Sequence, residues 1–115
     1  MSKSILQDRA EGTCYLCRLL NGDDSPKYNL EEHHVMNGPD RKKAEHYGLK
    51  VMLCIPHHRT GEKAVHKDRE TRILLKQIAQ IAFERKYGRE KWMGVFGKNY
   101  ITDEMRERYL EGKNE

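Results

Sequence analysis

Two short-spaced pairs of metal-binding side chains lie in the first half of this 115-residue chain. Cys14 and Cys17 form the first pair, and Cys54 and His57 form the second. Two such pairs on separate segments are typical of a tetrahedral structural zinc site, because thiolates and imidazoles are zinc ligands. The alternative is three reduced cysteines and a surface histidine. The spacing favours a structural zinc ion bound by Cys14, Cys17, Cys54 and His57.

The remaining histidines indicate a second place for a metal. His58 follows His57, and on a helix it points roughly 100° away, so it cannot comfortably share the same zinc. If two strands form a hairpin against this helix, His58 faces the end of the first strand, where His33 and His34 lie. Adjacent strand residues face opposite sides, so one ring can hold a metal while the other reaches a different atom. The alternative is that these histidines only pack in the core.

The elements that must position these side chains follow from the sequence pattern. Residues 28–36 and 49–53 are predicted strands, and a basic loop with at most one helical turn is predicted over residues 40–48. A helix is expected to begin at Cys54, because Pro56 is tolerated in a first helical turn. The first half of the chain therefore predicts strand, loop, strand and helix.

The second half of the chain is predicted to be helical. A long helix is expected over residues 68–87, with shorter helices over 89–96 and 102–110 and disorder from Gly112 onward. The aromatic side chains of the 89–96 helix are expected to pack on the long helix. Residues 1–12 are predicted to be a frayed or loosely docked lead-in. The apolar face of the long helix is predicted to contain Ile73, Leu74, Ile78, Ile81, Ala82 and the aliphatic part of Arg85.

The composition limits the class of protein. Hydrophobic residues make up 37% of the chain and charged residues 35%, so the core must be thin and a bound metal would stabilise it. The formal net charge of +4 favours an anionic partner without proving one. No apolar run approaches the length of a membrane span, and we expect a cytoplasmic protein with reduced thiols. The length predicts a single domain over residues 1–115.

These motifs resemble the HNH endonucleases of the ββα-metal superfamily. The matching parts are EHHV at residues 32–35 and LCIPHH at residues 53–58. The wider sequence over residues 14–100 is similar to small stand-alone HNH proteins of phages and prophages. The resemblance implies an α+β fold: a zinc-stapled, treble-clef-like ββα-metal core over residues 14–66, followed by C-terminal helices over residues 67–115.

The resemblance also implies a role for each histidine. His33 and His58 would hold a catalytic divalent metal, Mg²⁺ or Mn²⁺, and His34 would be the general base that activates water. A neutral imidazole can accept a proton near neutral pH. His66 would complete the metal site, contact phosphate or have a structural role. The substrate would be DNA, cut or nicked in the cytoplasm of a bacterial host during phage DNA processing or recombination, with phage packaging or recombination proteins as partners.

The chain departs from the family pattern between the two strands. Leu49 occupies the position of the middle asparagine of the HNH motif, and Asn37 is a candidate to hold the loop in its place. Basic residues that flank the proposed site could bind DNA phosphates or could form an ordinary solvated surface. These basic residues are Arg41, Lys42, Lys43, Arg59 and Lys63.

Two other classes of function remain open. A non-catalytic, zinc-stapled nucleic-acid-binding module would keep the zinc ligands and the basic residues, and its histidines would only pack. An adaptor would dock on a larger assembly through an exposed aromatic surface of the 89–96 helix. Binding of DNA without cleavage would favour the first alternative, and exposure of that aromatic surface would favour the second.

Overall fold

A computed structural model describes residues 3–111 of the chain and combines a two-stranded antiparallel sheet with helices. The mixed α+β class predicted from the sequence is confirmed. No helix within these residues is long and apolar enough to cross a membrane, and the prediction of disorder from Gly112 onward concerns residues outside the described part. The elements in chain order are α1 (Tyr15–Asn21), β1 (Glu31–His34), α2 (Arg41–Tyr47), β2 (Lys50–Leu53), a helical turn (Pro56–Thr60), α3 (Arg69–Tyr87), α4 (Arg89–Phe96) and α5 (Asp103–Arg106), which continues into a wide turn at Glu107–Glu111.

The sheet is a hairpin, and its register determines which face each of the two strand histidines projects from. β1 pairs with β2 so that His33 lies opposite Val51 and His34 lies opposite Lys50. Because neighbouring strand residues face opposite sides, His33 and His34 project from different faces of the sheet. Both strands are shorter than predicted, and Val51 and Leu53 turn their side chains into the core.

The connection between the strands is a helix and not the predicted basic loop. Residues 41–47 are mostly good helix formers, and their two turns form α2, which ends at Gly48. Gly48 has a φ of +74°, a left-handed conformation that glycine adopts without strain. The backbone N–H of Ile5 donates to the Gly48 carbonyl oxygen at 2.9 Å, so the N-terminal segment lies directly against this turn.

The N-terminal segment is docked along β2, so the prediction of a loosely attached lead-in is wrong. Ser4 Oγ donates to the Lys50 carbonyl oxygen at 2.6 Å, and the buried side chain of Gln7 accepts a hydrogen bond from the Met52 backbone N–H at 2.8 Å. Gln7 also donates to the Thr13 carbonyl oxygen at 2.9 Å. These bonds satisfy backbone groups on the outer edge of the hairpin.

We expect Gly48→Ala to destabilise the protein by roughly 1–3 kcal/mol, because alanine is strained at this φ and its methyl group would clash with the backbone oxygen of Lys3. Gly94→Ala is the matched control. Gly94 lies within α4 with no atom within 4 Å of an added Cβ, so the control should gain about 0.5–1 kcal/mol. Urea denaturation measures both changes, and equal stability of the two variants would contradict the expectation.

The long helix α3 begins and ends where the sequence predicts, but its buried face differs. Asp68 caps its first turn by accepting from the Thr71 backbone N–H at 3.1 Å. The fully buried apolar residues are Leu75, Ala79 and Phe83. The apolar residues of the predicted face are only half-buried, and Arg85 is exposed. The face is rotated because the helix also buries polar residues that find partners from the C-terminal part of the chain.

Gln80 is the centre of that buried polar set. Its Nε2 donates to Glu84 Oε2 and to Asn99 Oδ1, each at 2.7 Å, and its Oε1 accepts from the Tyr100 backbone N–H at 2.7 Å. Arg106 of α5 forms an ion pair with Glu84. The polar set therefore fixes the chain after α4 against α3.

The aromatic residues of α4 pack on α3, as predicted. The Trp92 ring is 0% exposed, and its centroid is 5.4 Å from that of Phe83. Phe96 is 7% exposed and lies 5.9 Å from Phe83. The adaptor hypothesis required an exposed aromatic surface on this helix, and the burial of both rings contradicts it.

Candidate functional site

The four predicted zinc ligands converge on one point. His57 Nδ1 is 3.6 Å from Cys14 Sγ, 3.3 Å from Cys17 Sγ and 3.4 Å from Cys54 Sγ. The sulfurs of Cys17 and Cys54 are 3.8 Å apart. A tetrahedral zinc ion with bonds of ~2.3 Å to sulfur and ~2.1 Å to nitrogen holds its sulfurs ~3.8 Å apart and its nitrogen ~3.6 Å from each sulfur. This Cys–His cluster can therefore hold a metal ion such as zinc.

Two short segments position the cluster. Cys14 caps the first turn of α1, and its sulfur accepts a hydrogen bond from the Cys17 backbone N–H at 3.4 Å. Cys54 directly follows β2, and its carbonyl oxygen accepts from the backbone N–H groups of His57 and His58 at 3.1 and 2.9 Å. The predicted helix from Cys54 is thus a single wide turn. A bound metal would tie α1 to the end of the hairpin.

Burial favours the neutral forms of the side chains in this cluster when no cation is bound. Burial, followed by the neighbouring Cys14 thiol, raises the pKa of Cys17 to about 12. Burial also raises the pKa of the Cys54 thiol and lowers the pKa of the His57 imidazole. A thiol that coordinates a dication loses its proton outright, and a neutral imidazole is already the ligating form. A bound cation would therefore replace the thiol protons, and the convergence of the four side chains is the observation that favours one.

A second cluster brings His33 together with His58 and His66. One nitrogen from each ring lies within 4.8 Å of the other two. The ring centroids of His58 and His66 are 4.5 Å apart, and the His33 centroid is 5.3 Å from His58 and 5.2 Å from His66. The Nε2 atoms of His58 and His66 are 3.0 Å apart. We call these three side chains the histidine cluster.

The chain turns back after the helical turn to bring His66 into this cluster. Gly61 makes the reversal possible, since a Cβ at this position would lie 2.7 Å from the Pro56 carbonyl oxygen. The Val65 backbone N–H then donates to His57 O at 2.8 Å, and that of His66 donates to His58 O at 3.2 Å. Of the roles considered for His66, completion of the same site is the one that this placement supports.

Glu31 and Arg59 orient the His58 ring. Glu31 Oε1 lies 2.7 Å from His58 Nδ1, and Arg59 donates to both oxygens of the Glu31 carboxylate at 3.1 Å. A carboxylate only accepts hydrogen bonds, so we assign the His58 proton to Nδ1, which leaves the Nε2 lone pair facing His66. Hydrogen bonds from Arg59 and then from His58 lower the pKa of Glu31. Such a carboxylate partner is common behind metal-binding histidines.

The pKa values of two rings in the histidine cluster are lowered, which favours their neutral forms. Burial, and then the charges of His58 and His66, lower the pKa of His33 to about 3. Burial also lowers the pKa of His66. Neutral imidazoles have the lone pairs that metal binding requires.

His34 lies on the other face of β1 and is not part of the histidine cluster. Its Nε2 is 2.8 Å from Glu45 Oε1 of α2, and the Lys50 ammonium donates to both Glu45 oxygens at 2.9 and 3.1 Å. These hydrogen bonds, His34 first, lower the pKa of Glu45 to about 2. Because the carboxylate accepts from Nε2, we assign the proton to Nε2 and the free lone pair to Nδ1. Glu32 also lies close to His34 and Glu45.

The predicted phosphate-binding residues have unequal surroundings. Arg59 is paired with Glu31, so its guanidinium is already occupied in part. Lys43 Nζ donates to the Val95 carbonyl oxygen at 2.8 Å and lies 3.3 Å from Asp40. The other three are exposed to solvent: Arg41, Lys42 and Lys63.

The connection between the strands is held without a counterpart of the missing asparagine. Leu49 is fully buried, its N–H donates to Ala44 O at 2.8 Å, and its carbonyl oxygen accepts from the Val35 N–H at 2.9 Å. Asn37 is exposed, and its side chain makes no capping hydrogen bond. The connection is held by the α2 helix and by the backbone hydrogen bonds of Leu49, and the Asn37 side chain does not have the role considered for it.

Three residues of the site were missed by the sequence analysis, namely Glu31, Glu45 and Lys50. Glu31 could have been found from strand alternation, because residues i and i+2 share a face and Glu31 precedes His33 by two. Lys50 could have been found only from the register of the hairpin. Nothing local marks Glu45, since its contact with His34 depends on how α2 folds back.

Comparison with known proteins gives no relative from which a function can be transferred. No protein-family model matches the chain, and neither a curated protein nor a solved structure matches it significantly.

Proposed function

We propose that this protein is a metal-dependent DNA endonuclease of the HNH type that cuts or nicks phosphodiester bonds, in phage DNA processing or recombination. The observation that carries the proposal is the convergence of His33, His58 and His66 beside a hairpin tied by the Cys–His cluster. A strand histidine facing a histidine of the following helical turn is the arrangement that the sequence motifs imply.

The histidine cluster suits a divalent cation by its donor chemistry. Its three imidazoles can supply three ligands, and three protein ligands leave positions for water and substrate. Imidazole suits Zn²⁺, Ni²⁺ or Fe²⁺ better than Mg²⁺, which prefers oxygen ligands, so transition metals deserve testing beside Mg²⁺ and Mn²⁺. When bound, such an ion would stabilise the negative charge that develops on the phosphate and on the leaving oxygen.

His34 is our candidate for the general base. Its Nδ1 lone pair can accept a proton from water, because Nε2 is engaged with Glu45. The Glu45 carboxylate would stabilise the imidazolium that forms, and Lys50 fixes that carboxylate from the other side. The exposed cations Arg41, Lys42 and Lys63 are candidates for contacts with the DNA backbone.

Cleavage of supercoiled plasmid with each of these metals tests the proposal. We expect the wild-type protein to nick or linearise the plasmid, and we expect His58→Ala to lose cleavage because it removes a metal ligand. Metal analysis should show that His58→Ala loses the second metal ion and retains the ion of the Cys–His cluster. His46→Ala, on the exposed side of α2, is the matched control. It should cleave the plasmid like the wild type and bind both metal ions.

Two outcomes would contradict the proposal. Equal cleavage and equal metal content in His58→Ala and the wild type would remove His58 from the site. Binding of DNA without cleavage under every metal would favour the non-catalytic nucleic-acid-binding module.

A further inference from the structure

Three basic side chains outside the predicted set lie on α3 or on the segment that contacts it, and one of them is hydrogen-bonded to the residue before His66. Arg72 and Lys76 are one helical turn apart on α3, and Lys98 follows α4. We call Arg72, Lys76 and Lys98 the α3 basic cluster.

Arg72 is held next to His66. Its Nη1 donates to the carbonyl oxygen of Val65 at 3.1 Å, and Val65 directly precedes His66 in the chain. The Arg72 charge is also among the causes that lower the pKa of His66, after burial and His58. A guanidinium has five N–H donors. No carboxylate among the residues that the structure describes lies within ion-pair distance of Arg72, so most of these donors are available to a ligand.

Lys76 lies one helical turn after Arg72 on α3, beside Tyr100. Its Nζ lies 5.5 Å from the centroid of the Tyr100 ring. Burial, and then the charges of Lys98 and Arg72, lower the pKa of Lys76, and the Lys76 charge acts in turn on His33.

Lys76 also lacks a counter-ion. Asp40 is the acidic group that acts on Lys76, but its Oδ1 lies 3.3 Å from Lys43. Within the described part of the chain, no carboxylate oxygen lies within ion-pair distance of Lys76 or of Lys98.

Like charges gathered in this way repel one another, and a bound anion relieves that repulsion. Phosphate matches the donors present, because guanidinium binds it through paired hydrogen bonds and ammonium binds it as a point charge. The location also matters, since Arg72 is hydrogen-bonded to the residue directly before His66, and Lys76 follows one helical turn later on α3.

We infer that the α3 basic cluster binds a backbone phosphate of the DNA, adjacent to the phosphate at the histidine cluster. The inference rests on the proposed function for the identity of the ligand. It extends the DNA-binding surface from α2 and the helical turn to the C-terminal helices, which then contribute to substrate binding as well as to packing.

Salt-dependent DNA binding tests this inference. The double variant Lys76→Gln/Lys98→Gln is compared with Lys86→Gln/Lys91→Gln, which removes the same charge from exposed positions of α3 and α4. Binding of a short fluorescein-labelled duplex is measured by anisotropy across a range of salt, with no divalent metal added. The slope of log Kd against log salt should become shallower by up to ~0.9 for the test variant, the value for one lost phosphate contact. The control should keep the wild-type slope.

Equal slopes for the two double variants would overturn the inference. If the test variant unfolds, the comparison is repeated with two single variants at exposed side chains, Lys98→Gln and its control Lys91→Gln. Equal slopes for these two variants would also overturn the inference. A shallower slope for the test variant in a protein that cuts no DNA under any metal would uphold the inference and refute the proposed endonuclease.

Discussion

We expect Cys17→Ser to lose the cooperative thermal transition of the wild-type protein. The serine hydroxyl is a poor zinc ligand, and the change removes one of four groups that join α1 to the end of β2. Structural zinc contributes about 10–16 kcal/mol in small zinc-binding peptides. A typical domain is stable by only about 5–15 kcal/mol in total. Far-UV circular dichroism during heating, together with zinc analysis, measures the effect.

Chelation provides the matched control for Cys17→Ser. A strong chelator should unfold the wild-type protein in the same way, and addition of Zn²⁺, but not of Mg²⁺, should restore its transition. His57→Ala should behave like Cys17→Ser, whereas His46→Ala should melt like the wild type, because His46 is exposed on α2. A Cys17→Ser protein with wild-type zinc content and a wild-type transition would contradict the zinc prediction.

The Cys–His cluster could be predicted because the spacing within each of its two pairs is local. In each pair the two ligands are three residues apart, so a tight turn brings them together whatever the rest of the chain does. Only the meeting of Cys17 with Cys54, across 37 residues, required the tertiary fold. The pairing of His33 with His58 followed from a hairpin, which is also a local structure.

The place of His66 could not be predicted, because it depends on a chain reversal. Hydrogen bonds between the backbones of residues 65–66 and 57–58 bring its ring back to His58. Neither the composition of the loop nor a fixed spacing encodes those bonds.

The prediction of the buried face of α3 was wrong for a related reason. The spacing of apolar residues identifies the buried face of a helix only when the polar residues stay exposed. Here Gln80 and Glu84 are buried, because they have polar partners near residues 99–106. The α2 helix was missed because a basic segment between two strands resembles a loop in composition, although its residues favour a helix.

We expect His34→Ala to reduce plasmid cleavage by roughly 10²–10⁴-fold, the usual contribution of a positioned general base. The variant should keep both metal ions, because His34 is outside both the Cys–His cluster and the histidine cluster. It should remain folded at the assay temperature and melt at a lower temperature than the wild type, because it loses the hydrogen bond to Glu45. This combination separates a base from a ligand, since His33→Ala should lose cleavage and the second metal ion together. Single-turnover cleavage, metal analysis and thermal unfolding are measured on the same preparations.

Glu45→Gln refines the test, because glutamine keeps an oxygen that can accept from His34 Nε2 but removes the negative charge. If Glu45 stabilises the imidazolium, Glu45→Gln should cleave more slowly than the wild type and faster than His34→Ala. Its second metal ion should be unaffected, because Glu45 lies with His34 and Lys50 on the far face of β1. Cleavage by His34→Ala at the wild-type rate would exclude His34 as the general base. Loss of the second metal ion from His34→Ala would identify His34 as a metal ligand instead.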